Sequence, residues 1–429
     1  MYDIIIKNGY VVDMVSDENK VSIKDVLINK NKIVKIEKNT NETAKKVIDA
    51  KGKVVLPGFI NCHNHAAMTI FRGYSDDTSL MDWLENKIWP IEDKLDKEDI
   101  YYSSLLACIE MIKSGTTTFN DMYFLMENVA KAVKETKIRA MLGRCIMKME
   151  SEDDERVNEA ILLYENYNNS ENGRIKVNIA PHALYTCNKE AIIKSKELAV
   201  KYNVPLHIHL DETKGEHENI LNEYGITPTK MLDEMNIFDK CHVILAHGVW
   251  LDDNDIQILK KIKGGVVHNP ISNCKLSSGI ARVSKLLKEG VNVSLGTDGT
   301  GSTNTLDMFE EMKLCNYLQK VSTLEPTIIN AYDVLKMATI NGAKTLGLED
   351  EIGSIEVGKK ADIILIDMKD GVHLNPLHDV ISNLVYSCNG SDVITTIVDG
   401  NILMENRVLN GIDEDYVKQK CRELIKKYF

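Results

Sequence analysis

The chain has 429 residues, of which 44% are hydrophobic and 27% charged, and its formal net charge at pH 7 is -12. This length predicts one large domain with a smaller second one, because a single small core cannot absorb so long a chain. The negative charge argues against a nucleic acid polymer as a partner, since such polyanions are bound by clustered lysine and arginine.

Two further features of the sequence concern the compartment. The chain has no apolar run of about 18 residues, the length that predicts a membrane span, and residues 1–9 lack the basic and apolar regions of a secretion signal. The nine cysteines include no CxxC pair, which is typical of reduced thiols. We therefore expect a cytoplasmic protein that has no membrane partner.

Short strand-like runs occur at both ends of the chain, separated by turns rich in Asn, Lys and Gly. The runs are Ile4 to Ile6, Val26 to Ile28, Ile33 to Ile36, Ala361 to Asp367, Val393 to Val398 and Ile402 to Met404. We predict that residues 1–56 and residues 353–429 pair into one small β-sandwich domain.

Between these ends, short apolar strands alternate with stretches in which apolar residues have helical spacing, a pattern typical of repeated βα units. The predicted strands are Val54 to Ile60, Thr116 to Asn120, Arg139 to Gly143, Ile175 to Ala180, Leu206 to Leu210, His242 to Ala246, Gly265 to His268 and Val291 to Gly296. These eight units predict an α/β fold, a TIM-type (β/α)8 barrel over residues 57–352. In that fold the active site lies where the strands end.

Several strands of the predicted barrel end in side chains that bind metal ions. His63 and His65 follow the first strand, His209 ends the fifth, His247 ends the sixth and Asp298 follows the eighth. Alternate residues of a strand face the same side, so one ion could contact both histidines of the first pair. Neutral imidazole suits zinc, iron or nickel, and the strand ends therefore predict a metal centre.

Other polar residues near these strand ends complete the predicted site. Glu212 is a candidate for proton transfer, although a carboxylate at a helix start is its simpler interpretation. His207 lies one layer below His209, where we expect a hydrogen-bonded core histidine. The fourth strand ends without a Lys or Glu that could bridge two metals, so one metal ion is expected. His182, after that strand, is a candidate substrate contact, and His268 has no assigned catalytic role.

These motifs resemble the amidohydrolase superfamily over nearly the whole chain, and more narrowly the 5′-methylthioadenosine/S-adenosylhomocysteine deaminases. The broader resemblance rests on Leu56 to His65, Ser114 to Thr118, His209, Ala246 to Gly248, His268 to Pro270, Gly296 to Gly299 and Gly353 to Asp362. The narrower one rests on Trp83, Trp89 to Glu92, Glu212, Arg144 and Arg156. The resemblance implies one divalent metal ion, Zn²⁺ or alternatively Fe²⁺, bound by His63, His65, His209 and Asp298.

The resemblance also implies an activity, the hydrolytic deamination of the 6-amino group of adenosine derivatives. Asp298 would accept a proton from the attacking water, and Glu212 would protonate the purine nitrogen beside the attacked carbon. His247 would orient the nucleophile. The expected products are the inosine analogue and ammonia.

The substrate contacts implied by the resemblance lie beyond the metal centre. Glu92 follows the first barrel strand in a segment that could fold as a lid, and would accept hydrogen bonds from both ribose hydroxyls. His182 would contact a purine nitrogen. Arg144 and Arg156 would bind the carboxylate of a homocysteine tail, which a planar guanidinium can hold with two hydrogen bonds. The expected substrates are S-adenosylhomocysteine, 5′-methylthioadenosine, adenosine and 5′-deoxyadenosine.

Two alternatives stay open. Another enzyme of the superfamily, such as a guanine deaminase or a triazine-type hydrolase, would use the same metal site, although its substrate has neither a ribose nor a carboxylate tail for Glu92 and the two arginines. The second alternative is a catalytically inactive structural homologue, against which stands the presence of every metal and proton-transfer residue. The sequence leaves open whether the chain forms a homo-oligomer.

Overall fold

The structure is a computed structural model that describes residues 1–15, 20–151 and 153–429. Its first five strands form part of a mixed sheet that we call the end sheet. These strands are β1 Tyr2–Val11, β2 Ser22–Asn29, β3 Lys32–Glu37, β4 Ala44–Asp49 and β5 Lys53–Pro57. Strand β1 pairs antiparallel with β2 and parallel with both β4 and β5. The β1 strand is therefore hydrogen-bonded along both of its edges.

The following strands form a parallel barrel. They are β6 Phe59–Asn64, β7 Thr116–Tyr123, β8 Arg139–Ile146, β9 Ile175–Pro181, β10 Leu206–Leu210, β11 His242–His247, β12 Lys263–His268 and β13 Val293–Leu295. They lie side by side in chain order. Beyond β13, the N–H of Asp298 donates to the carbonyl of His63 at 2.9 Å, which joins the last strand end to the first. The predicted TIM-type (β/α)8 barrel is confirmed.

The first barrel strand begins later than the sequence predicted. Val54 to Leu56 belong to β5 in the end sheet, and the barrel strand β6 begins at Phe59. The chain crosses between the sheets at Gly58, where a Cβ atom would lie only 2.1 Å from the side chain of Thr117. Glycine is required here because no side chain fits so close an approach.

Strands from the other end of the chain complete the end sheet. They are β14 Ile363–Asp367, β15 Val393–Val398, β16 Asn401–Glu405 and β17 Val408–Leu409. Strand β14 pairs antiparallel with β5, with Ile364 opposite Leu56. One apolar core contains side chains of both chain ends, among them Ile6, Val26 and Leu365. The two ends thus share one sheet, and the domain limits at residues 56 and 353 stay predictions.

Helices follow each barrel strand and cover the outside of the barrel. In chain order they are α1 Leu80–Trp83, α2 Trp89–Glu92, α3 Lys97–Ser114, α4 Met126–Thr136, α5 Glu155–Tyr167, α6 Ser170–Gly173, α7 Lys189–Tyr202, α8 Lys214–Tyr224, α9 Pro228–Glu234, α10 Asp253–Leu259, α11 Pro270–Lys275, α12 Val283–Lys288, α13 Thr300–Thr303, α14 Met308–Thr323, α15 Ala331–Met337, α16 Ile340–Leu346, α17 Val380–Tyr386 and α18 Glu414–Tyr428. Within the described ranges, none of them has the length and apolarity that crossing a membrane requires.

A buried ion pair joins the barrel to the end sheet. Arg139, at the start of β8, is 2% exposed and donates to both oxygens of Asp362, with Nε at 2.7 Å and Nη2 at 3.0 Å. Its Nη2 also lies 3.4 Å from Asp399, at the turn after β15. The barrel and the end sheet therefore share a charged contact that is shielded from water.

Candidate active site

Five side chains meet at the carboxyl ends of the barrel strands. The ligand atoms of His63, His65 and Asp298 lie within 4.8 Å of one another, as do those of His63, His209 and His247. The Nε2 atoms of His65 and His209 are 3.4 Å apart, and the Oδ1 of Asp298 lies 3.2 Å from the first of them. The structure thus brings together every residue that the sequence predicted at the metal centre.

The outer ring nitrogens show that this cluster fits a cation. The Nδ1 of His65 is 2.6 Å from the carbonyl oxygen of Met122, and the Nδ1 of His209 is 2.7 Å from that of His182. Because a carbonyl oxygen only accepts hydrogen bonds, each Nδ1 carries the proton in the neutral ring and each Nε2 a lone pair. Two lone pairs that face each other at 3.4 Å repel, and a shared metal ion removes that repulsion.

His63 extends the same arrangement into the barrel. It is fully buried, its Nδ1 lies 2.9 Å from Nε2 of His207, and its own Nε2 has no hydrogen-bond partner. His207 in turn lies 3.1 Å from the side-chain amide of Asn120. His207 is thus the hydrogen-bonded core histidine that the strand parity predicted.

Two serines that the sequence analysis missed hold the carboxylate of Asp298. Ser272 and Ser302 donate to its Oδ2 at 2.7 and 3.0 Å, and the N–H of Gly299 donates to Oδ1 at 2.8 Å. The serines follow the seventh and eighth barrel strands in helices α11 and α13. They fix the orientation of the carboxylate, because both lone-pair directions of Oδ2 are occupied.

Three residues around the centre adopt a left-handed backbone. The φ angles are 54° at Asp211, 74° at His247 and 66° at Asp298. Such conformations cost about 1 to 3 kcal/mol each in residues other than glycine, and they collect at functional sites. The surrounding hydrogen bonds hold them, as where the carbonyl of Asp211 accepts from the N–H of Val249 at 2.9 Å.

Glu212 is almost fully buried and lies next to the metal-ligand cluster, as we call the side chains of His63, His65, His209, His247 and Asp298. Its Oε2 is 3.7 Å from Nε2 of His247, and Ser278 donates to its Oε1 at 3.5 Å. Its backbone N–H donates to the carboxylate of Glu216 at 2.9 Å, which fixes the turn that carries it. Burial raises the pKa of Glu212. A carboxyl group that keeps its proton in such surroundings can act as a general acid.

A cavity opens from the cluster toward solvent. One side is covered by residues 72–96, which connect β6 to α3 and which we call the lid. The lid contributes Leu80, Trp83, Ile88, Trp89 and Glu92 to the cavity lining, and Trp83 and Ile88 are buried. The segment that the sequence predicted to fold over the pocket does so.

Glu92 is held in the cavity by a tyrosine that the sequence analysis missed. The hydroxyl of Tyr123, at the end of β7, donates to Oε1 of Glu92. Burial raises the pKa of Glu92 to about 7, against the lowering effect of this hydrogen bond. Phe124 stacks on Tyr123 with ring centroids 4.3 Å apart, and it lines the cavity together with Cys145 and Met147. The surface beside Glu92 is therefore apolar.

His182 also lines the cavity, after β9. Its Nδ1 lies 2.7 Å from the hydroxyl of Thr186, which leaves Nε2 available to a ligand. Burial lowers the pKa of His182 to about 3, so the ring is neutral. A neutral imidazole in this position can exchange one hydrogen bond with a heterocycle.

Arg144 does not reach the cavity. Its Nε donates to Glu159 at 2.5 Å, and it lines a separate groove on the outside of the barrel with Lys97 and Glu127. The physical reason is strand alternation: Cys145 lines the cavity and a Cβ on Gly143 would meet the interior Asn178, so Arg144 between them faces outward. The contact of Arg144 with a substrate tail stays a prediction.

Arg156 lies in the first turn of α5, at a distance from the cavity lining. It donates to both carboxylate oxygens of Asp154, through Nε at 3.0 Å and Nη2 at 2.8 Å, and Nη2 also donates to the carbonyl of Lys148 at 2.6 Å. Its guanidinium is thus already paired with a carboxylate. The contact of Arg156 with a substrate tail stays a prediction.

The sequence of this chain is similar to those of known deaminases. The chain is 49% identical to a 5′-deoxyadenosine deaminase of Methanosarcina acetivorans, over 98% of this chain and 97% of that protein. It is 49% identical to a 5-methylthioadenosine/S-adenosylhomocysteine deaminase of Desulforamulus reducens, over 88% of this chain and 87% of that protein.

The fold of this chain is also similar to that of a deaminase of known structure. An adenosine deaminase from Xanthomonas campestris with bound zinc superposes with a TM-score of 0.94 at 31% identity, covering 100% of this chain and 98% of that one. The model of the amidohydrolase family matches residues 54–403, which contain every barrel strand and all five residues of the cluster. The chain therefore belongs to the amidohydrolase family.

Proposed function

We propose that the chain is a metal-dependent deaminase that hydrolyses the 6-amino group of adenosine derivatives to give the inosine analogues and ammonia. The observation that carries this proposal is the position of Glu92 in the cavity that also contains the metal-ligand cluster. A carboxylate under a lid can accept two hydrogen bonds from a ribose, which neither guanine nor a triazine possesses. The names of the relatives at 49% identity support the same chemistry.

The metal ligands in this proposal are His63, His65, His209 and Asp298, with Zn²⁺ as the expected ion and Fe²⁺ as the alternative. A divalent cation bound there acidifies water and so supplies a nucleophile at neutral pH. The bound zinc in the 31% identical neighbour supports zinc. His247, the fifth residue of the cluster, orients the attacking water.

Proton transfer is assigned to two carboxyl groups. Asp298 accepts the proton of the attacking water, because its carboxylate faces the Nε2 atoms of His63 and His65 at 3.4 and 3.2 Å, where the water would lie. Glu212 donates a proton to the ring nitrogen beside the attacked carbon, because burial raises the pKa of Glu212 and so favours its protonated form. His182 binds a second nitrogen of the purine through its free Nε2. The proton held by Asp298 then passes to the amino group, the C–N bond breaks to release ammonia, and the hydroxyl proton of the intermediate returns to Glu212, which leaves the 6-oxo product.

The cavity favours substrates with a small apolar 5′ group. Phe124, which stacks on Tyr123, lines the cavity together with Cys145 and Met147. No arginine is among the side chains that line the cavity in the described part of the chain. We therefore rank 5′-deoxyadenosine and 5′-methylthioadenosine above S-adenosylhomocysteine, whose charged tail would need Arg156 to leave Asp154.

A screen for ammonia release tests this proposal. The zinc-loaded protein is incubated with 5′-deoxyadenosine, 5′-methylthioadenosine, adenosine, S-adenosylhomocysteine, guanine and a chlorotriazine. We expect the highest kcat/KM for the first two and no turnover of the last two. Activity confined to guanine or the triazine would contradict the proposal, and a kcat/KM for S-adenosylhomocysteine above that of 5′-methylthioadenosine would overturn the ranking.

A further inference from the structure

We propose that Lys427, Tyr428 and Phe429, which we call the end clamp, are positioning residues that hold the lid closed over the cavity. They contact the lid at both points where it joins the barrel. They touch neither the cavity nor the metal-ligand cluster, so any effect on turnover must pass through the lid. Only the kinetic test of this inference rests on the proposed function.

The first contact is at the start of the lid. The ring of Phe429 packs against Tyr74 with centroids 4.3 Å apart, and its edge meets Phe71 with centroids 6.2 Å apart. Phe71 is 1% exposed and ends the 3₁₀ helix Ala66–Phe71, which begins directly after the ligand His65. The start of the lid therefore lies between the buried ring of Phe71 and the end clamp.

The second contact is at the end of the lid. The Nζ of Lys427 lies 2.9 Å from Asp96 and 3.0 Å from Asp99, and the hydroxyl of Tyr428 donates to the carbonyl of Lys94 at 3.0 Å. Asp96 and Asp99 form the capping box that starts α3. Asp99 is only 1% exposed, so Lys427 neutralises a buried carboxylate at the point where the lid rejoins the barrel.

The helix that carries the end clamp is anchored without the lid. Helix α18 packs Val417 against Leu105 and Ile109 on the barrel. At its first turn Glu414 forms an ion pair with Lys113 at 2.6 Å, four helical turns from the end clamp. Changes in the end clamp therefore leave the contacts between α18 and the barrel intact, and α18 holds the end clamp in a fixed position against the lid.

Closure of the lid bears on substrate binding because the lid carries Glu92. When a binding-competent conformation is only partly populated, the apparent affinity falls by the populated fraction, while saturating substrate restores the competent state. Loosening the end clamp should therefore raise KM and leave kcat nearly unchanged. A group that served general stability would instead lower the melting temperature without this separation.

The test uses the variants Phe429→Ala and Lys427→Met, which release the two ends of the lid separately. Since an aromatic pair contributes about 0.5 to 1.5 kcal/mol, we expect KM for 5′-deoxyadenosine to rise about three- to tenfold in Phe429→Ala, with kcat within about twofold. The matched control is Glu414→Gln, which breaks an ion pair of the same helix far from the lid and should leave KM unchanged.

Limited proteolysis provides a second readout that needs no turnover. Lys87 and Lys94 are exposed lid residues, and trypsin should cut after them faster in both clamp variants than in the parent protein and in Glu414→Gln. Unchanged KM and unchanged cleavage in both variants would overturn the proposal, as would equal changes in Glu414→Gln. If the parent protein deaminates no nucleoside, the proposed function fails, and the cleavage pattern alone still decides whether the clamp holds the lid.

Discussion

Glu212 combines two properties. It is buried beside the metal-ligand cluster, and it is not one of the proposed metal ligands. Its carboxyl group is 3.7 Å from His247, and its backbone is held by Glu216. A group placed in this way can exchange protons with a substrate without holding the metal. Proton transfer and metal binding should therefore separate on mutation.

Replacing Glu212→Gln should preserve metal binding and lower kcat by about 100-fold or more, the usual scale of general acid–base catalysis. The control is His209→Ala, which removes a ligand and should reduce the metal content. Elemental analysis, with about one ion per chain expected in the parent protein, and steady-state kinetics measure the two effects. Normal turnover in Glu212→Gln would return this residue to a structural role at the start of α8.

The hydrogen bond from Tyr123 to Glu92 should control the ionisation of Glu92, the group that we propose binds the ribose. The bond lowers the pKa of Glu92, which burial has raised to about 7, so Tyr123→Phe moves that pKa upward. Ribose binding needs the ionised form, and the acidic limb of kcat/KM should shift to higher pH. At pH 7 we expect a loss of about tenfold, within the range for a hydrogen bond to a charged group.

A second tyrosine provides the control for this experiment. Tyr101 donates to Glu135 on the outside of the barrel, in a pair that resembles the one between Tyr123 and Glu92. Tyr101→Phe should leave the pH profile unchanged. A profile in Tyr123→Phe that matches the parent protein would mean that Glu92 is not the group that titrates.

At the scale of elements, the passage from β5 to β6 depends on Gly58. A methyl group at this position would lie 2.1 Å from Thr117 in the neighbouring strand. We expect Gly58→Ala to destabilise the protein by about 1 to 3 kcal/mol, the usual cost of overpacking. Gly215, in the first turn of α8, has an ordinary φ and open space around its Cβ position. Gly215→Ala should be neutral or stabilising by up to about 1 kcal/mol, as urea denaturation of both variants will show.

The same passage shows where sequence reasoning stops. The apolar run before Pro57 predicted one strand, because hydrophobic pattern does not reveal that the two halves of a run pair with different neighbours. Strand β4 was missed since Ala44–Asp49 contains two lysines and an aspartate and has little apolar pattern. The barrel strands were predictable because burial on both faces makes each one a short apolar run.

The part of the candidate site that lies at the ends of the barrel strands was predictable from the sequence. His63 and His209 lie in the last residues of apolar strands, and His65 and Asp298 lie one and three residues beyond theirs, so their position needed only the order of the fold. The outward orientation of Arg144 was also predictable, from its parity between Gly143 and Cys145, and its contact with a substrate tail stays a prediction. Tyr123 and the serines that hold Asp298 carry no motif, since a hydroxyl group becomes functional only through the partner that the fold gives it.

At the scale of the whole molecule, Arg139 links the barrel to the end sheet. Arg139→Met would leave the buried carboxylate of Asp362 without its cation, while Asp399 would keep its ion pair with Lys360, and we expect a loss of about 3 to 5 kcal/mol. Lys46→Met, which removes a half-exposed pair with Glu405, should cost about 1 kcal/mol or less. Urea denaturation of both variants checks the difference. Equal stabilities would mean that the interface tolerates unpaired charge.

The pairing of β5 with β14 has a consequence for synthesis on the ribosome. Leu56 lies opposite Ile364, so the edge of β5 stays open until about 300 further residues have been made. During that interval Val54, Val55 and Leu56 form an apolar strand with one unpaired edge, a template for association with other nascent chains. The rate of translation across the barrel, and the holding of this edge by chaperones, should therefore set the yield of native protein more strongly than the stability of the finished fold.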